Sequence, residues 1–367
     1  MKFTFDRDSL LKEVSISQEI ISTKNAISIL SNIYLEAINN TLLIRATDIK
    51  TKFETSIPVA VEEEGSTTVF CDKFMSIISN LPSGKIEFIQ KDLKIQINSL
   101  SKNISFQLKS IASDKFPEFN FLNTLKFFDI SIKDLKDMIR QTIFSISDDE
   151  TRYFMNGIFM EKNEGNLIFV ATDGRRLAYI SKEINIALPE FNGAIIPPKI
   201  LQIISHRAPD EGLISIALYE KNIYFKFSNY EFSSLLIEGQ FPKYTRVIPE
   251  SQLYNFEFNT TEMLEALKRV SLFVEQKSRR IYLNLKDHIL MISSSETEMG
   301  TAKEEIECSY NGDEISFAVN CMYIEEPLKV INSEKTSIEF TESMKALTIC
   351  SVPKKDFFHV IMPMQMD

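Results

Sequence analysis

The chain has 367 residues, of which 44% are hydrophobic and 25% charged, and its formal net charge is −10. That length suits two or three domains of ~100–200 residues each, and the composition is ordinary for a soluble globular protein. The acidic balance argues against a classical DNA-binding protein, although a net sum hides local asymmetry.

No apolar run approaches the ~18 residues that span a bilayer. The start, MKFTFDRDSLLKE, lacks the apolar core of a signal peptide. Cys71, Cys308, Cys321 and Cys350 are widely spaced and form no C-x-x-C pair, so they read as reduced core thiols of a cytoplasmic protein.

In chain order, the first element is FTFDRDSLLKEV from Phe3, whose alternating pattern changes to helical spacing. That change of period predicts a strand followed by a helix. IRATDIKT follows at Ile44, and VFCDKFMSIISNLP from Val69 repeats the strand-to-helix pattern. The strand-like runs KIEFIQ, LKIQINS and NISFQLK lead to SDKFPEF at Ser113.

The order then begins again. FDISIKDLKDMI starts at Phe128, FVATDGRRLAYIS at Phe169 and AIIPPKILQIISHRAP at Ala194, followed by LISIALYE, NIYFKFS, FSSLLIEG and EGQFPKY. A third round opens with FEFNTTEMLEAL at Phe256 and continues through FAVNCMYIEEPLKVI to SIEFTE, ALTICSV and FFHVIMPM. Asp48 and Asp173 occupy the same place in successive rounds.

The chain is therefore read as an internal repeat of three domains, each made of two similar half-units. The expected domains are residues 1–125, 126–252 and 253–367, with boundaries near Asn123–Phe127 and Ser251–Asn255. The fold class is α+β. Each domain has two helices packed on antiparallel sheets, because closely spaced strands pair through short turns. Sheets of neighbouring domains that join edge to edge would leave free strand edges at the two ends.

RYFMNGIFME, FVATDGRRLAYIS, EGQFPKYTRVIP and the terminal HVIMPMQM, together with the threefold repeat, resemble the bacterial sliding-clamp family, the beta subunits of DNA polymerase III. The resemblance runs end to end. It implies a DNA clamp fold in which each subunit is half of a closed ring and two subunits meet head to tail. Such a processivity factor encircles duplex DNA without reading sequence, and it tethers the polymerase catalytic subunit, the clamp loader and other replication and repair proteins. No catalytic residue, metal or cofactor is implied.

Local charge fits that expectation. PPKILQIISHRAP carries Lys199, His206 and Arg207 without an acid, so Lys199 and Arg207 are candidate phosphate contacts. By resemblance Lys24, Arg152 and Tyr153 also meet DNA. The strands KDLKIQINSLSKNISFQLK are basic and ETEMGTAKEEIE is acidic, with Glu298, Glu304 and Glu305 among its acids. Opposite charges at two different ends would select head-to-tail pairing. By resemblance Phe106 and Leu108 anchor one side, and Leu272 and Phe273 the other.

A tether also needs a place for its cargo. The methionine-rich tail suits a surface that accepts several apolar peptides. The resemblance implies a groove lined by Met155, Thr172, Gly174, Arg175, Arg176, Leu177, Pro242, Arg246, Val247, Asn320, Tyr323 and Met344. The tail from Val360 to Met366, including Met362, Pro363 and Met364, completes it. Leu177, Pro242, Val247 and Met362 would form the apolar pocket, while Arg176 and Arg246 would hold polar groups of the peptide. Met344, Gln365 and Asp367 depart from the family pattern.

The shared Ala-Thr-Asp of FVATDGRRLAYIS and IRATDIKT reads as repeat architecture, with the aspartate capping a turn. The alternative class is a metal-dependent nuclease or polymerase accessory enzyme built on Asp148, Asp149 and Glu150 of SDDETR. No phosphate-binding loop, H-E-x-x-H pair or G-x-S-x-G elbow occurs. His206, His288 and His359 lack ligand spacing.

Overall fold

The computed structural model describes residues 1–21, 29–119, 125–184, 189 and 191–366. Lys24, Asp367 and the Asn123–Thr124 part of the first expected boundary lie outside the described residues.

Six α-helices occur among the described residues: α1 (Arg7–Ile20), α2 (Cys71–Asn80), α3 (Ile132–Thr142), α4 (Pro198–Arg207), α5 (Thr260–Val270) and α6 (Cys321–Val330). Each follows directly, or within two residues, on a strand, as the change of hydrophobic period predicts. The starts are fixed by side-chain caps at several points. Asp6 accepts from the amides of Asp8 and Ser9, Asn259 from those of Thr261 and Glu262, and Asn320 from that of Met322. The α5 face carrying Met263, Leu267 and Val270 is buried, whereas Leu264, expected on the same face, is only half-buried.

All named strand pairs are antiparallel, and they form four sheets of five, eight, eight and four strands. Each eight-stranded sheet joins strands from two successive repeats. In the first, Tyr230–Leu235 pairs with Thr51–Pro58, placing Phe232 opposite Phe53. Their rings lie 4.9 Å apart in the core. In the second, Arg176–Glu183 pairs with Phe357–Ile361, placing Leu177 opposite Val360. The edge-to-edge joining expected from the repeat is thus made by main-chain hydrogen bonds and by buried apolar pairs across the seam.

Because of these seams, compactness divides the chain differently from the repeat. One unit holds residues 1–133 and 199–236, and the other holds 134–198 and 237–367. The middle repeat contributes one half to each.

Among the described residues, the five- and four-stranded sheets end in strands that have no further strand beside them. Ser105–Lys109 is the last strand of the former and Lys303–Glu307 the outer strand of the latter. These are the basic and acidic segments singled out in the sequence.

Candidate functional site

Thr172, Asp173 and Gly174 form a tight turn between the strands Asn166–Thr172 and Arg176–Glu183. Asp173 Oδ1 accepts from the amides of Arg175 (2.8 Å) and Arg176 (3.1 Å). Thr172 Oγ1 donates to the Arg176 carbonyl at 2.6 Å and accepts from the Gly174 amide at 3.0 Å. The aspartate caps the turn as the sequence suggests. Gly174 has φ +88°, and a Cβ there would sit 2.8 Å from Arg152 Nη1. Glycine serves both needs: a left-handed backbone and a close approach.

Beside this turn lies an apolar pocket with a cavity of about 140 Å³. It is lined by Met155, Thr172, Gly174, Arg175, Arg176, Leu177, Pro242, Val247, Val360 and Met362, all nominated from the sequence. Lys243 and Tyr244 also line it and were not foreseen. Leu177 and Val360 are buried in its floor, while Val247 and Met362 are 53% and 45% exposed at its rim. That contrast suits a surface whose depth is rigid and whose mouth adapts.

Beneath the pocket, Ile168, Val170, Leu177, Ile195, Phe241, Tyr244 and Val360 form one apolar cluster. The Phe159 ring stacks on Phe241 with centroids 4.7 Å apart. Tyr244 donates its hydroxyl to the Glu161 carboxylate, and burial pushes the phenol's pKa up. This bond fixes the Tyr244–Arg246 turn that carries Val247. The only sequence signal for Tyr244 is its place in FPKYTR, two residues past Pro242.

The remaining nominated residues separate from the pocket. Asn320 caps α6 through its side-chain oxygen, 2.9 Å from the Met322 amide. Arg246 is exposed, Pro363 is half-buried, and the Met364 amide donates to the Ala318 carbonyl at 2.7 Å. Met344 lines a neighbouring cavity with Leu253, Ala346 and Met362. Arg176 differs most from expectation. Its Nε donates to Asp173 (3.0 Å), its Nη1 to Glu326 and its Nη2 to the Phe144 carbonyl (2.6 Å). Its guanidinium also lies 4.8 Å from the Tyr323 ring centroid. The expectation that it holds peptide polar groups has to be set against a guanidinium whose three nitrogens each already have an acceptor.

Three of the five candidate DNA contacts, Lys199, Arg207 and Arg152, are also paired within the chain. Lys199 Nζ donates to Asp48 Oδ2 and to the Ile20 carbonyl, each at 2.6 Å. Arg207 pairs with Glu19 and donates to Ser15 Oγ at 2.8 Å. Arg152 Nε donates to Asp149 Oδ2 at 2.8 Å, while Tyr153 beside it is 52% exposed.

Asp149 caps a short 3-10 turn over Glu150–Met155. Hydrogen bonds from the Thr151 hydroxyl and from Arg152 hold its carboxyl down, to about 2. Both its oxygens are occupied within the loop, which does not support the metal-binding reading of SDDETR.

On the free strands, Phe106 and Leu108 are half-buried on Ser105–Lys109. Leu272 is 74% exposed, Phe273 half-buried, and Met299, which the sequence did not single out, 82% exposed. Glu298 and Glu305 are exposed, but Glu304 forms a two-bond fork with Arg269 at 2.9 and 2.5 Å. Glu304 is therefore matched within its own chain.

Comparison with known proteins covers the full length. Family models described as the DNA polymerase III beta subunit match here: the N-terminal domain at residues 1–120, the central domain at 129–243 and the C-terminal domain at 245–365. The beta sliding clamp of Treponema pallidum is 46% identical over 369 residues, covering all of both chains. The solved DNA polymerase sliding clamp of Bacillus subtilis superposes with a TM-score of 0.94 at 27% identity, with both chains fully covered. A sliding clamp of Pseudomonas aeruginosa bound to griselimycin gives the same TM-score, identity and coverage.

Proposed function

The chain belongs to the DNA polymerase III beta subunit family, and from that premise we propose that it works as a ring. It is a beta sliding clamp, a non-catalytic subunit of the replicative polymerase. Two copies join head to tail around duplex DNA in the cytoplasm, and the groove beside the Thr172–Leu177 turn holds the polymerase catalytic subunit, the clamp loader and other replication and repair proteins.

The observation that carries the groove is the apolar pocket of about 140 Å³ between Leu177 and Met362. It is large enough for one bulky apolar side chain, and its backbone frame is held by sheet hydrogen bonds. Burying one such side chain contributes ~1.5–3 kcal/mol, and flanking main-chain contacts add register. Met155, Thr172, Gly174, Arg175, Leu177, Pro242, Val247, Val360 and Met362 form the inner site. Arg246, Asn320, Tyr323, Met344, Pro363 and Met364 form its surroundings.

Head-to-tail closure is supported by the two free strands. Phe106 and Leu108 on one lie among lysines. Glu305 on the other and Glu298 in the preceding loop flank Gly300, which lies beside the Phe273 ring. Duplex DNA would meet Lys24, Arg152 and Tyr153, with Lys199 and Arg207 contributing only what their carboxylate partners release. The proposed domains remain 1–125, 126–252 and 253–367.

The test is retention on DNA. With a clamp loader and ATP, the protein should stay on nicked circular DNA and be lost when that DNA is linearised. Equal retention on both forms would refute the ring.

A further inference from the structure

We propose that Arg176 and Glu326 are positioning residues for the partner groove: a half-buried strut that sets the groove wall while neither charged group binds the partner. The proposal rests on the groove reading above. Its basis is the number of bonds the Arg176 side chain already makes. Every guanidinium nitrogen has a partner: Nε has Asp173, Nη1 has Glu326 and Nη2 has the Phe144 carbonyl. The group lies 4.8 Å from the Tyr323 centroid and 5.7 Å from that of Phe144. The Arg176 side chain is only 11% exposed, and its two carboxylate partners, Asp173 and Glu326, are 18% and 25% exposed.

A charged fork so placed is costly to pull away from its carboxylates, because either charge would be left poorly solvated. A partner offering a carbonyl or a carboxylate would have to compete with both acids. The strut does, however, reach the groove through the backbone. Arg176 follows the Thr172–Gly174 turn, and its own carbonyl accepts from Thr172 Oγ1. The adjacent Arg175 carbonyl accepts the Met362 amide at 2.9 Å. Met362 forms the pocket rim, and Leu177 its floor. The chain of contacts therefore runs from Glu326 on α6, through Arg176 and its turn, to Met362. Glu326 itself is not among the residues lining the pocket.

The experiment uses the full chain and three single variants, Arg176→Gln, Arg176→Lys and Glu326→Gln, with the Arg176→Gln/Glu326→Gln double. Affinity is measured for the polymerase III catalytic subunit of the same organism, and amide hydrogen exchange is followed at Met362. Each single variant should lose about two- to thirtyfold in affinity, the range expected for coupling through a packed network. The double should be no weaker than the worse single within about twofold, since both remove one device. Arg176→Lys should behave like Arg176→Gln, because a lysine keeps the charge but gathers its three donors on one nitrogen and cannot span acceptors spread around a planar guanidinium. Exchange at the Met362 amide should quicken in all of them.

Parent affinity in Glu326→Gln alongside weakened Arg176→Gln would overturn the proposal, making Arg176 a direct partner ligand. So would parent affinity in Arg176→Lys, or unchanged exchange at Met362. If the parent protein itself does not bind the catalytic subunit, the groove reading falls, and the exchange measurement still decides whether the strut exists.

Discussion

Acid should weaken this fold through one histidine. His359 lies in the strand Phe357–Ile361, opposite Ala178, and is 1% exposed. Among the described residues neither ring nitrogen has a hydrogen-bond partner. The rings of Phe144 and Phe357 lie 5.4 and 5.8 Å away. Burial, with the nearby Arg176 charge, pushes its pKa from 6.5 down to about 3. The sign follows from proton counts. Below 6.5 the unfolded chain takes up a proton that the folded chain refuses until about 3. The stabilisation is therefore complete above 6.5 and is lost progressively as the pH falls between those values. At pH 5 the loss is about 2 kcal/mol, at ~1.4 kcal/mol per pH unit.

The assay compares urea unfolding of the parent and His359→Leu at pH 7.5 and 5. The leucine removes two unsatisfied nitrogens and keeps an apolar side chain, so stability at pH 7.5 should change little. The parent should lose about 2 kcal/mol more than the variant on going to pH 5. In parallel, the His359 ring resonance should stay in its neutral position down to pH 4.5 or so. A titration midpoint above about 5, or equal acid sensitivity of parent and variant, would refute the burial argument.

Other expectations are directly measurable. Gly174→Ala should cost ~1–2 kcal/mol in a melting experiment, because alanine is strained at φ +88°. The Arg152 guanidinium, being the far end of a flexible chain, can move aside, so strain and not the clash should dominate; a melting point equal to the parent's would contradict this. Met362→Ala combined with Met364→Ala should weaken binding of polymerase and loader and leave the dimer intact, and undiminished affinity in a titration would remove these residues from the groove. Glu298→Lys with Glu305→Lys should shift the protein from dimer to monomer in sedimentation, while leaving the Arg269–Glu304 fork in place; an unchanged dimer would sink the charge-pairing idea.

The repeat was legible in fine detail because it is written in local chemistry. Thr47 and Asp48 build the same turn as Thr172 and Asp173. Thr47 Oγ1 donates to the Thr51 carbonyl, and Asp48 Oδ1 accepts from the Thr51 amide. Ile49 even takes the left-handed backbone, φ +79°, that Gly174 takes at +88°. The first copy carries that local strain on a side chain that is 61% exposed, whereas the second also has an arginine against that position.

What the sequence hides is pairing over distance. Arg176 looks like a free cation in DGRRLA, yet its Glu326 partner lies 150 residues away. Lys199 looks unopposed in PPKILQ, yet Asp48 lies 151 residues away. No spacing rule connects residues brought together by sheets that cross repeat boundaries. The apolar pocket residues were easier, because they belong to strands whose alternation fixes which side chains point inward.

These pairings bear on how a protein of net charge −10 could hold DNA. Affinity for a duplex grows with the number of phosphates neutralised and counterions released. Lys199, Arg207 and Arg152 each already have a carboxylate partner within the chain. Each of these charges is thus partly neutralised before any phosphate arrives, so the net gain in charge neutralisation is small. An open copy should then bind linear duplex weakly and with a shallow salt dependence. On the proposed reading this is what a mobile tether requires. Strong phosphate contacts would arrest sliding, whereas a closed ring keeps DNA inside whatever its contact energy. Persistence on DNA would then be governed by the two end-to-end interfaces, and the modest charge of the inner helices would only centre the duplex. Weakening an interface should shorten the lifetime on circular DNA far more than removing Lys199 or Arg207.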